Sequence, residues 1–306
     1  MKRNSTYVKP ADSVYSKKVN RVVSALFVLM ALVSFLPVLL VFIVSFSSQE
    51  SVAQAGYSFF PRSFSLEAYR YLFLSGMYLL RAFINSVVIT VLGTVLGLAL
   101  MCPFSYALSR PEFRLRRVLF VFIMIPMLFS GGLVSSYMIN TQLFHLGNTY
   151  FALFLPGLCS TWYILIMRNY FRESLPDDMI DAARLDGCSH PQVFAWIVMP
   201  VSKPVIMTVA VFEIFAYWNS WYPSLLYIDS NHTELYPLQY VLVNMERSIE
   251  TITNDAQFVS GMTSYSPPAV TIRMAMVVIV ILPVMILFPF FRKFLKTGMT
   301  VGSVKG

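Results

Sequence analysis

Hydrophobic residues of this chain are gathered into long runs and do not alternate with polar residues as they would along a half-buried strand. A helix needs about 20 apolar residues to cross a hydrocarbon core about 30 Å thick. The runs that are long enough cover residues 25–46, 83–107, 118–139, 150–167, 205–228 and 272–291. The pattern therefore predicts an all-α integral membrane protein with six transmembrane helices.

Prolines and glycines inside these runs predict where a helix breaks and where helices pack closely. Pro126 and the two consecutive glycines Gly131 and Gly132 should break the third run. The break should either line a cavity or form a flexible joint without ligand contact. Pro223 should interrupt the fifth run. Gly93 and Gly97 have the GxxxG spacing in the second run, which favours helix packing over a chemical role.

The distribution of Lys and Arg predicts the orientation of the spans. The chain has 23 such residues, and an inside N-terminus leaves only five of them outside: Arg62, Arg70, Arg81, Arg247 and Arg273. Because cytoplasmic loops carry the excess of positive charge, we expect both termini to be cytoplasmic. The predicted organisation is a cytoplasmic segment 1–24, a transmembrane domain 25–291 with a cytoplasmic loop 168–204, and a cytoplasmic tail 292–306.

Composition supports a membrane protein. The chain is 57% hydrophobic and only 12% charged, about half the charge of an average soluble domain. Its net charge of +8 does not indicate nucleic-acid binding, because the basic residues flank apolar runs and form no stripe with interleaved aromatics. Cys102, Cys159 and Cys188 have neither CxxC nor metal-ligand spacing, so we expect them to act as small apolar fillers.

The cytoplasmic loop carries the local signals of two short helices. A first helix should begin with Pro176 in its first turn, where a missing N–H costs little, and close at Gly187, which tolerates a left-handed backbone. Ser189 and Gln192 have the spacing of a capping box for the second helix. An apolar stretch follows until Pro200, which should stop that helix.

The same loop resembles that of the binding-protein-dependent ABC importer permeases. Their pattern is Glu-Ala-Ala, three residues, Gly, nine residues, Ile-x-Leu-Pro, and the matching residues here are Asp181, Ala182, Ala183, Gly187, Ile197, Met199 and Pro200. Asp replaces Glu and Met replaces Leu, and both changes are conservative. The chain is similar over nearly its whole length to six-helix, maltose-type permeases with the type I importer fold. FSLEAYRYLF at 64–73, NSVVITVLGT at 85–94, MLFSGGL at 127–133 and WNSWYPSLLYI at 218–228 resemble permeases for complex or modified oligosaccharides.

This resemblance implies a multi-pass subunit of the bacterial cytoplasmic membrane that forms half of a pathway for a carbohydrate, expected to be an oligosaccharide. Its implied partners are a second homologous permease subunit, two ATP-binding subunits and an extracytoplasmic solute-binding protein. The chain has no GxxxxGK[ST] loop. We therefore expect no enzymatic activity and no cofactor on this chain, with ATP and Mg²⁺ bound by the separate ATPase.

The resemblance assigns coupling to the ATPase to six residues: Asp181, Ala182, Ala183, Gly187, Ile197 and Pro200. The small residues among them remove bulk from one side of the first helix, which would let it seat in a cleft of a partner. Asp181 can meet a basic or N–H group there. The alternative is an ordinary amphipathic helix at the membrane surface.

Glu213 is the acidic residue predicted to lie inside the membrane, where charged groups usually face a cavity or a partner. It shares a helical face with Tyr217 and Ser220. A substrate pathway lined by Glu213, Tyr217, Asn219 and Ser220 is one interpretation, and assembly with a neighbouring helix is the other. An aromatic belt at the membrane interface is expected for the Trp and Tyr residues that follow.

Two long outer loops are predicted, at 47–82 and 229–271, and the second is acidic. The family implies docking of a solute-binding protein there, and a solvated lid is the alternative. The main competing function is a secondary, ion-coupled transporter that uses Glu213, although the chain shows no evident inverted repeat. An intramembrane enzyme would need a catalytic motif, and no GxSxG or HExxH sequence occurs.

Overall fold

The computed structural model describes residues 17–74, 76–258 and 269–298. The predicted segments before residue 17, after residue 298 and within 259–268 lie outside them. Within the described ranges the chain is helical, without strands, and Ser47 and Phe64 form an isolated antiparallel bridge. The helices are α1 Lys17–Ser45, α2 Gln49–Ala55, α3 Glu67–Leu74, α4 Gly76–Ser109, α5 Arg116–Leu128, α6 Gly132–Met138, α7 Tyr150–Phe154, α8 Thr161–Ser174, α9 Asp177–Leu185, α10 His190–Val193, α11 Met199–Val201, α12 Lys203–Trp218, α13 Tyr222–Tyr227, α14 Leu238–Phe258 and α15 Ala269–Gly298.

The first compact unit contains α1, α2, the start of α3 and the start of α15. Large apolar side chains are exposed along most of α1, as expected of a helix whose solvent is lipid. After α1 the chain is ordered: the Tyr69 ring stacks on Phe46, and its hydroxyl lies 2.8 Å from Ser45 Oγ. The segment predicted as a long outer loop at 47–82 therefore contains the two short helices α2 and α3 and the start of α4.

The second compact unit is organised around α4, which packs against α5, α7, α8, α12 and α14. Met101 and Leu108 of α4 are fully buried against Met167 and Phe171 of α8 and Val209 of α12. Burial of large apolar side chains of this kind contributes about 1.5–3 kcal/mol each in water. In a bilayer, close packing of helices supplies most of the equivalent stabilisation.

The structure has three helices long and apolar enough to cross a membrane within the described residues, namely α1, α4 and α15. Three more spans result if each of three bent helix pairs counts as one. The α5–α6 pair bends by 118° at Gly131 and Gly132, and Gly132 has φ +83°. This confirms the predicted break at the glycines, whereas Pro126 lies inside α5.

Breaks in the fourth and fifth runs differ from the prediction. The fourth run bends by 47° between Gly157 and Thr161, where no break was predicted. In the fifth run, α12 ends at Trp218, and Pro223 lies in the first turn of α13. Pro223 therefore begins a helix instead of interrupting one, because a first-turn position has no N–H bond to lose.

Candidate functional site

Helix α9 begins and ends where the sequence predicted. Its first turn carries Asp177 and Asp178, whose charges suit the positive end of the helix dipole. The helix closes at Gly187, which has φ +88°. The N–H of Gly187 bonds to the Arg184 carbonyl and the N–H of Cys188 to the Ala183 carbonyl, both at 3.0 Å. These two bonds form the Schellman motif, which requires a left-handed residue at this position.

The second helix begins with the predicted capping box, formed by Ser189 and Gln192. It continues through α10, a π-helical turn at Phe194–Val198 and α11, and it bends by 78° at Ser202. The predicted stop at Pro200 is confirmed to within one residue, since the helix ends at Val201. Pro200 lies in the first turn after the π-helical turn, where hydrogen bonding is already shifted, so its missing N–H is tolerated.

The two faces of α9 have different surroundings. Ile180 and Ala183 are 6% and 8% exposed and pack into the core of the second unit. The opposite face is exposed and consists of Asp178, Asp181, Ala182 and Leu185, of which Leu185 is 90% exposed. The sequence placed the two alanines on one side of the helix. The structure separates them, because adjacent helical residues point about 100° apart.

A buried arginine anchors this segment to α4. Arg110, directly after α4, is 7% exposed. Its guanidinium donates to the carbonyl of Phe171 at 2.8 Å and to Oδ1 of Asp177 at 2.9 Å, and it reaches the carbonyl of Leu175 at 3.4 Å. It lies 5.5 Å from the centre of the Tyr106 ring. Arg110 therefore satisfies carbonyls left unpaired at the end of α8 and holds the first residue of α9.

Sequence reasoning counted Arg110 only as a cytoplasmic charge. A weak signal was available: Arg110 follows the end of an apolar run directly, with Ser109 before it and Pro111 after it. This setting suits a side chain that folds back onto a helix terminus. The sequence does not indicate which groups Arg110 binds, because Phe171 and Asp177 lie more than 60 residues further along the chain.

Glu213 and Tyr217 lie inside the second unit, where α12 packs on the glycines of α4. They are 2% and 8% exposed. Tyr217 donates its hydroxyl to the Phe154 carbonyl at 3.1 Å. A β-carbon at Gly97 would be 3.8 Å from Oε2 of Glu213, so the α4 glycines serve packing. The pathway and assembly roles of Glu213 both stay predictions.

The other two residues of the predicted pathway follow the end of α12. Asn219 is exposed, and its side-chain amide donates back to the Phe215 carbonyl at 2.9 Å, which caps the helix. Ser220 is half-buried in the turn towards α13. Because α12 ends at Trp218, Ser220 does not lie on the helical face that it was predicted to share with Glu213 and Tyr217. Their contact with substrate stays a prediction.

Comparison with known proteins identifies the family. The model of the family described as "Binding-protein-dependent transport system inner membrane component" matches residues 11–301. The chain belongs to this family of ABC importer permeases. The permease is 36% identical to Protein LplC of Bacillus subtilis over 276 residues, covering 90% of each chain. It is 34% identical to the B. subtilis polygalacturonan/rhamnogalacturonan transport system permease protein YtcP, covering 90% of this chain and 94% of the relative.

A solved structure supports the same fold. The permease aligns with a chain of a bacterial ABC transporter involved in the import of the acidic polysaccharide alginate, with a TM-score of 0.76 and 27% identity. The alignment covers 94% of the permease and all of the other chain. The permease is accordingly a membrane-embedded subunit of a type I ABC importer.

The segment that follows α13 is fastened to the N-terminal half of α4. Asn85 is 3% exposed and donates its amide to the carbonyls of Glu234 and Tyr236 at 2.8 and 3.0 Å. Its own carbonyl oxygen accepts from the Tyr150 hydroxyl at 2.8 Å. Ser86 Oγ accepts from the N–H of Leu238. The sequence assigned none of these contacts, and it predicted a loop where α14 forms.

A polar cluster joins two turns of the permease. The carboxylate of Asp229 accepts from the side-chain amide of Asn148 at 2.8 Å and lies 2.7 Å from Nδ1 of His232. The hydrogen bond from His232 lowers the pKa of Asp229, and the same bond raises the pKa of His232. The cluster is therefore most strongly joined when His232 is protonated and Asp229 is ionised.

Proposed function

We propose that this permease forms half of a transmembrane pathway for an oligosaccharide and is coupled to a separate ATPase through α9. The observation that carries the proposal is the exposed face of α9. Leu185 lies 90% exposed beside Asp181 and Ala182, while the opposite face is fixed in the core. Because the other face of α9 is held by its own subunit, the face with Leu185, Asp181 and Ala182 is the one available to a partner.

The anchor at Arg110 supports a mechanical role for α9. A helix that transmits movement must be tied to the membrane helices, and Arg110 joins the start of α9 to the ends of α4 and α8. ATP binding by the partner would displace α9, and the displacement would pass through Arg110 into α4. Asp181, Ala182, Gly187, Ile197 and Pro200 form the proposed contact set, while Ala183 holds the helix to its own subunit.

The proposed assembly contains a second homologous permease subunit, two ATP-binding subunits that hold ATP and Mg²⁺, and an extracytoplasmic solute-binding protein. The proposed setting is the bacterial cytoplasmic membrane. An oligosaccharide substrate is supported by relatives whose names specify polygalacturonan and rhamnogalacturonan, arabinooligosaccharides, and trehalose and maltose. These relatives align over about 70% or more of this chain.

The proposed topology has six spans, with each bent pair counted as one and both termini cytoplasmic. The transmembrane domain would be 25–291, with cytoplasmic segments at 1–24, 168–204 and 292–306. In a variant lacking the three native cysteines, Cys at Ser63 or Ser248 should react with a membrane-impermeant thiol reagent in intact cells. Cys at Ser174 should not, and labelling at Ser174 alone would reverse the orientation.

The deciding experiment is transport by the purified complex in vesicles. Uptake of the oligosaccharide should require ATP inside and the solute-binding protein outside, and it should persist after an ionophore dissipates ion gradients. Uptake that needs an ion gradient and no ATP would support the secondary-transporter alternative. Glu213→Gln tests that alternative at its proposed residue: altered uptake with an intact complex assigns Glu213 to the pathway, and loss of the complex assigns it to assembly.

A further inference from the structure

Five arginines surround one cavity where the end of α4, the start of α5 and the second half of α8 meet. The cavity has a volume of about 720 Å³, a size typical of ligand sites. The arginines that line it are Arg110, Arg116, Arg117, Arg168 and Arg172. Asp177 is the one carboxylate that lines it, and Asp177 is already bonded to Arg110. The cavity therefore carries a large excess of positive charge.

This charge has no counter-ion within the described part of the chain. Arg116, Arg117 and Arg172 form no ion pair there. The charges of Arg116 and Arg172 both act unfavourably on that of Arg168. Arg168 is nevertheless held in place, because it lies 4.7 Å from the centre of the Phe120 ring and donates to the Leu108 carbonyl at 3.3 Å. Like charges kept close together favour a bound anion.

An apolar stripe leads away from the cavity along α5. Val118, Val121, Phe122 and Ile125 recur at helical spacing and are between 51% and 68% exposed. Val121 also lines the cavity, so the stripe and the arginines are continuous. A soluble anion would gain nothing from this stripe, whereas the acyl chains of a phospholipid would cover it.

We propose that the cavity binds the phosphate of an anionic phospholipid, whose acyl chains lie along the exposed face of α5. Guanidinium groups bind phosphate oxygens through paired, charge-assisted hydrogen bonds. Basic pockets between membrane helices are suited to anionic headgroups. Arg117 and Arg172, both exposed and unpaired, supply the main phosphate contacts, and Phe120 orients Arg168 beside them. This site does not depend on which substrate the importer carries.

The test is lipid binding by the full-length permease, purified with the subunits that accompany it and stripped of lipid by detergent exchange. Dioleoylphosphatidylglycerol and dioleoylphosphatidylcholine are titrated separately, and bound lipid is counted by native mass spectrometry. The expected result is preferential binding of phosphatidylglycerol. Arg117→Gln combined with Arg172→Gln should weaken it about 30-fold, because each basic side chain near a lipid phosphate contributes about fivefold.

The control is Arg114→Gln, which removes one positive charge close in sequence to Arg117, at a position that does not line the cavity. It should change binding less than twofold. Arg117→Lys combined with Arg172→Lys keeps the charge and should retain most of the binding, so it separates the loss of charge from the replacement of the two side chains. Inorganic phosphate at the concentrations of lipid used should not displace phosphatidylglycerol.

Four results would overturn the proposal. The first is equal binding of the two lipids, and the second is an equal loss of lipid binding in the Arg114→Gln control. The third is displacement of lipid by inorganic phosphate. The fourth is loss of a co-purifying subunit from the variant with glutamine at both positions 117 and 172, while its lipid binding stays intact. The third would assign the cavity to a soluble anion. The fourth would assign it to a protein contact.

Discussion

The ring of Tyr217 on α12 lies directly against Gly93 of α4. A β-carbon built on Gly93 would come within 2.5 Å of two ring carbons of Tyr217. Real β-carbons do not approach other atoms so closely, so this helix pair requires glycine at position 93. The contact lies in the middle of α4 and near the end of α12, and it fixes how far apart the two helices pack there.

Gly93→Ala should therefore lower stability by about 1–3 kcal/mol, the usual cost of overpacking a close contact. The measurement is thermal unfolding of the purified permease in detergent. Gly76→Ala, on the same helix but with open space around it, is the control and should leave the midpoint unchanged. Combining Gly93→Ala with Tyr217→Leu should recover part of the loss. Equal midpoints for the two alanine variants would show that the contact does not limit packing.

Arg110→Gln should loosen the start of α9. The variant leaves the Phe171 carbonyl and the Asp177 carboxylate without their donor, at a cost of about 1.5–3 kcal/mol for bonds to a charged group. Hydrogen exchange should become faster across residues 171–185 and stay unchanged in α14. Arg114→Gln is again the control. If exchange in 171–185 is the same in both variants, Arg110 does not anchor the segment.

Leu185→Glu should prevent the permease from holding its ATPase while leaving its own fold intact. Leu185 contacts little of its own chain, since it is 90% exposed. The measurement is co-purification of the ATP-binding subunits together with the thermal midpoint of the permease. Leu66→Glu introduces the same change at another exposed position, predicted to lie on the opposite side of the membrane. A normal subunit ratio for Leu185→Glu would contradict the proposed contact.

Gly187→Val should abolish substrate-stimulated ATP hydrolysis and sugar uptake in vesicles. A β-branched residue pays about 1–2 kcal/mol for the left-handed conformation that closes α9. No atom lies within 4 Å of a β-carbon built there, so crowding inside the subunit is not the cause. Gly187→Asn separates the remaining causes, because Asn tolerates a positive φ. Recovery by Asn indicates a conformational role, and continued loss indicates crowding against the partner. Normal coupling in the Val variant would refute the role of α9.

The Asp229–His232 pair should make one region of the permease sensitive to pH. The pKa of His232 is raised by its bond to Asp229 and by the charges of Asp229 and Glu234. The contribution of protonated His232 to stability is complete at a pH below the pKa of this histidine in the unfolded chain. That contribution is lost as the pH rises through the raised pKa of the folded chain. The pKa of Asp229 is lowered in the folded chain, so the contribution of its carboxylate to stability is lost only as the pH falls through that lower pKa.

Hydrogen exchange at residues 148 and 229–232 should therefore be slowest at mildly acidic pH, between these two pKa values, after correction for the intrinsic pH dependence of exchange. It should become faster above the pKa of His232. His232→Gln keeps a hydrogen-bonding side chain but cannot titrate, so it should remove the change on the alkaline side. An unchanged pH profile in this variant would assign the sensitivity to another group.

Features set by neighbours in sequence were predictable, and those set by distant contacts were not. Pro176, Gly187, Ser189 and Gln192 act on the backbone within a few residues, so the limits of α9 and the start of α10 followed from the sequence. The separation of Ala183 from the exposed face was also available from helical periodicity. Ile180 and Ala183 are three residues apart on the apolar side, and this spacing was overlooked.

The bend at Ser202 and the anchor at Arg110 depend on tertiary structure. The sequence predicted a stop at Pro200 but not the 78° bend that follows it, and the π-helical turn at Phe194–Val198 has no local signal. Asn85 illustrates the same limit, because its partners are the carbonyls of Glu234 and Tyr236, about 150 residues away. A polar residue in an apolar run indicates a contact without naming it.

The Arg110 anchor also imposes an order on biosynthesis. Residue 110 leaves the ribosome before Phe171 and Asp177, which lie 61 and 67 positions later. Until they are made, its guanidinium lacks the carbonyl and the carboxylate that it binds beyond α4, so it must stay hydrated at the membrane surface. During synthesis the side chain is therefore a charged marker that keeps the end of α4 in water. It becomes a structural clamp only after α8 has been inserted.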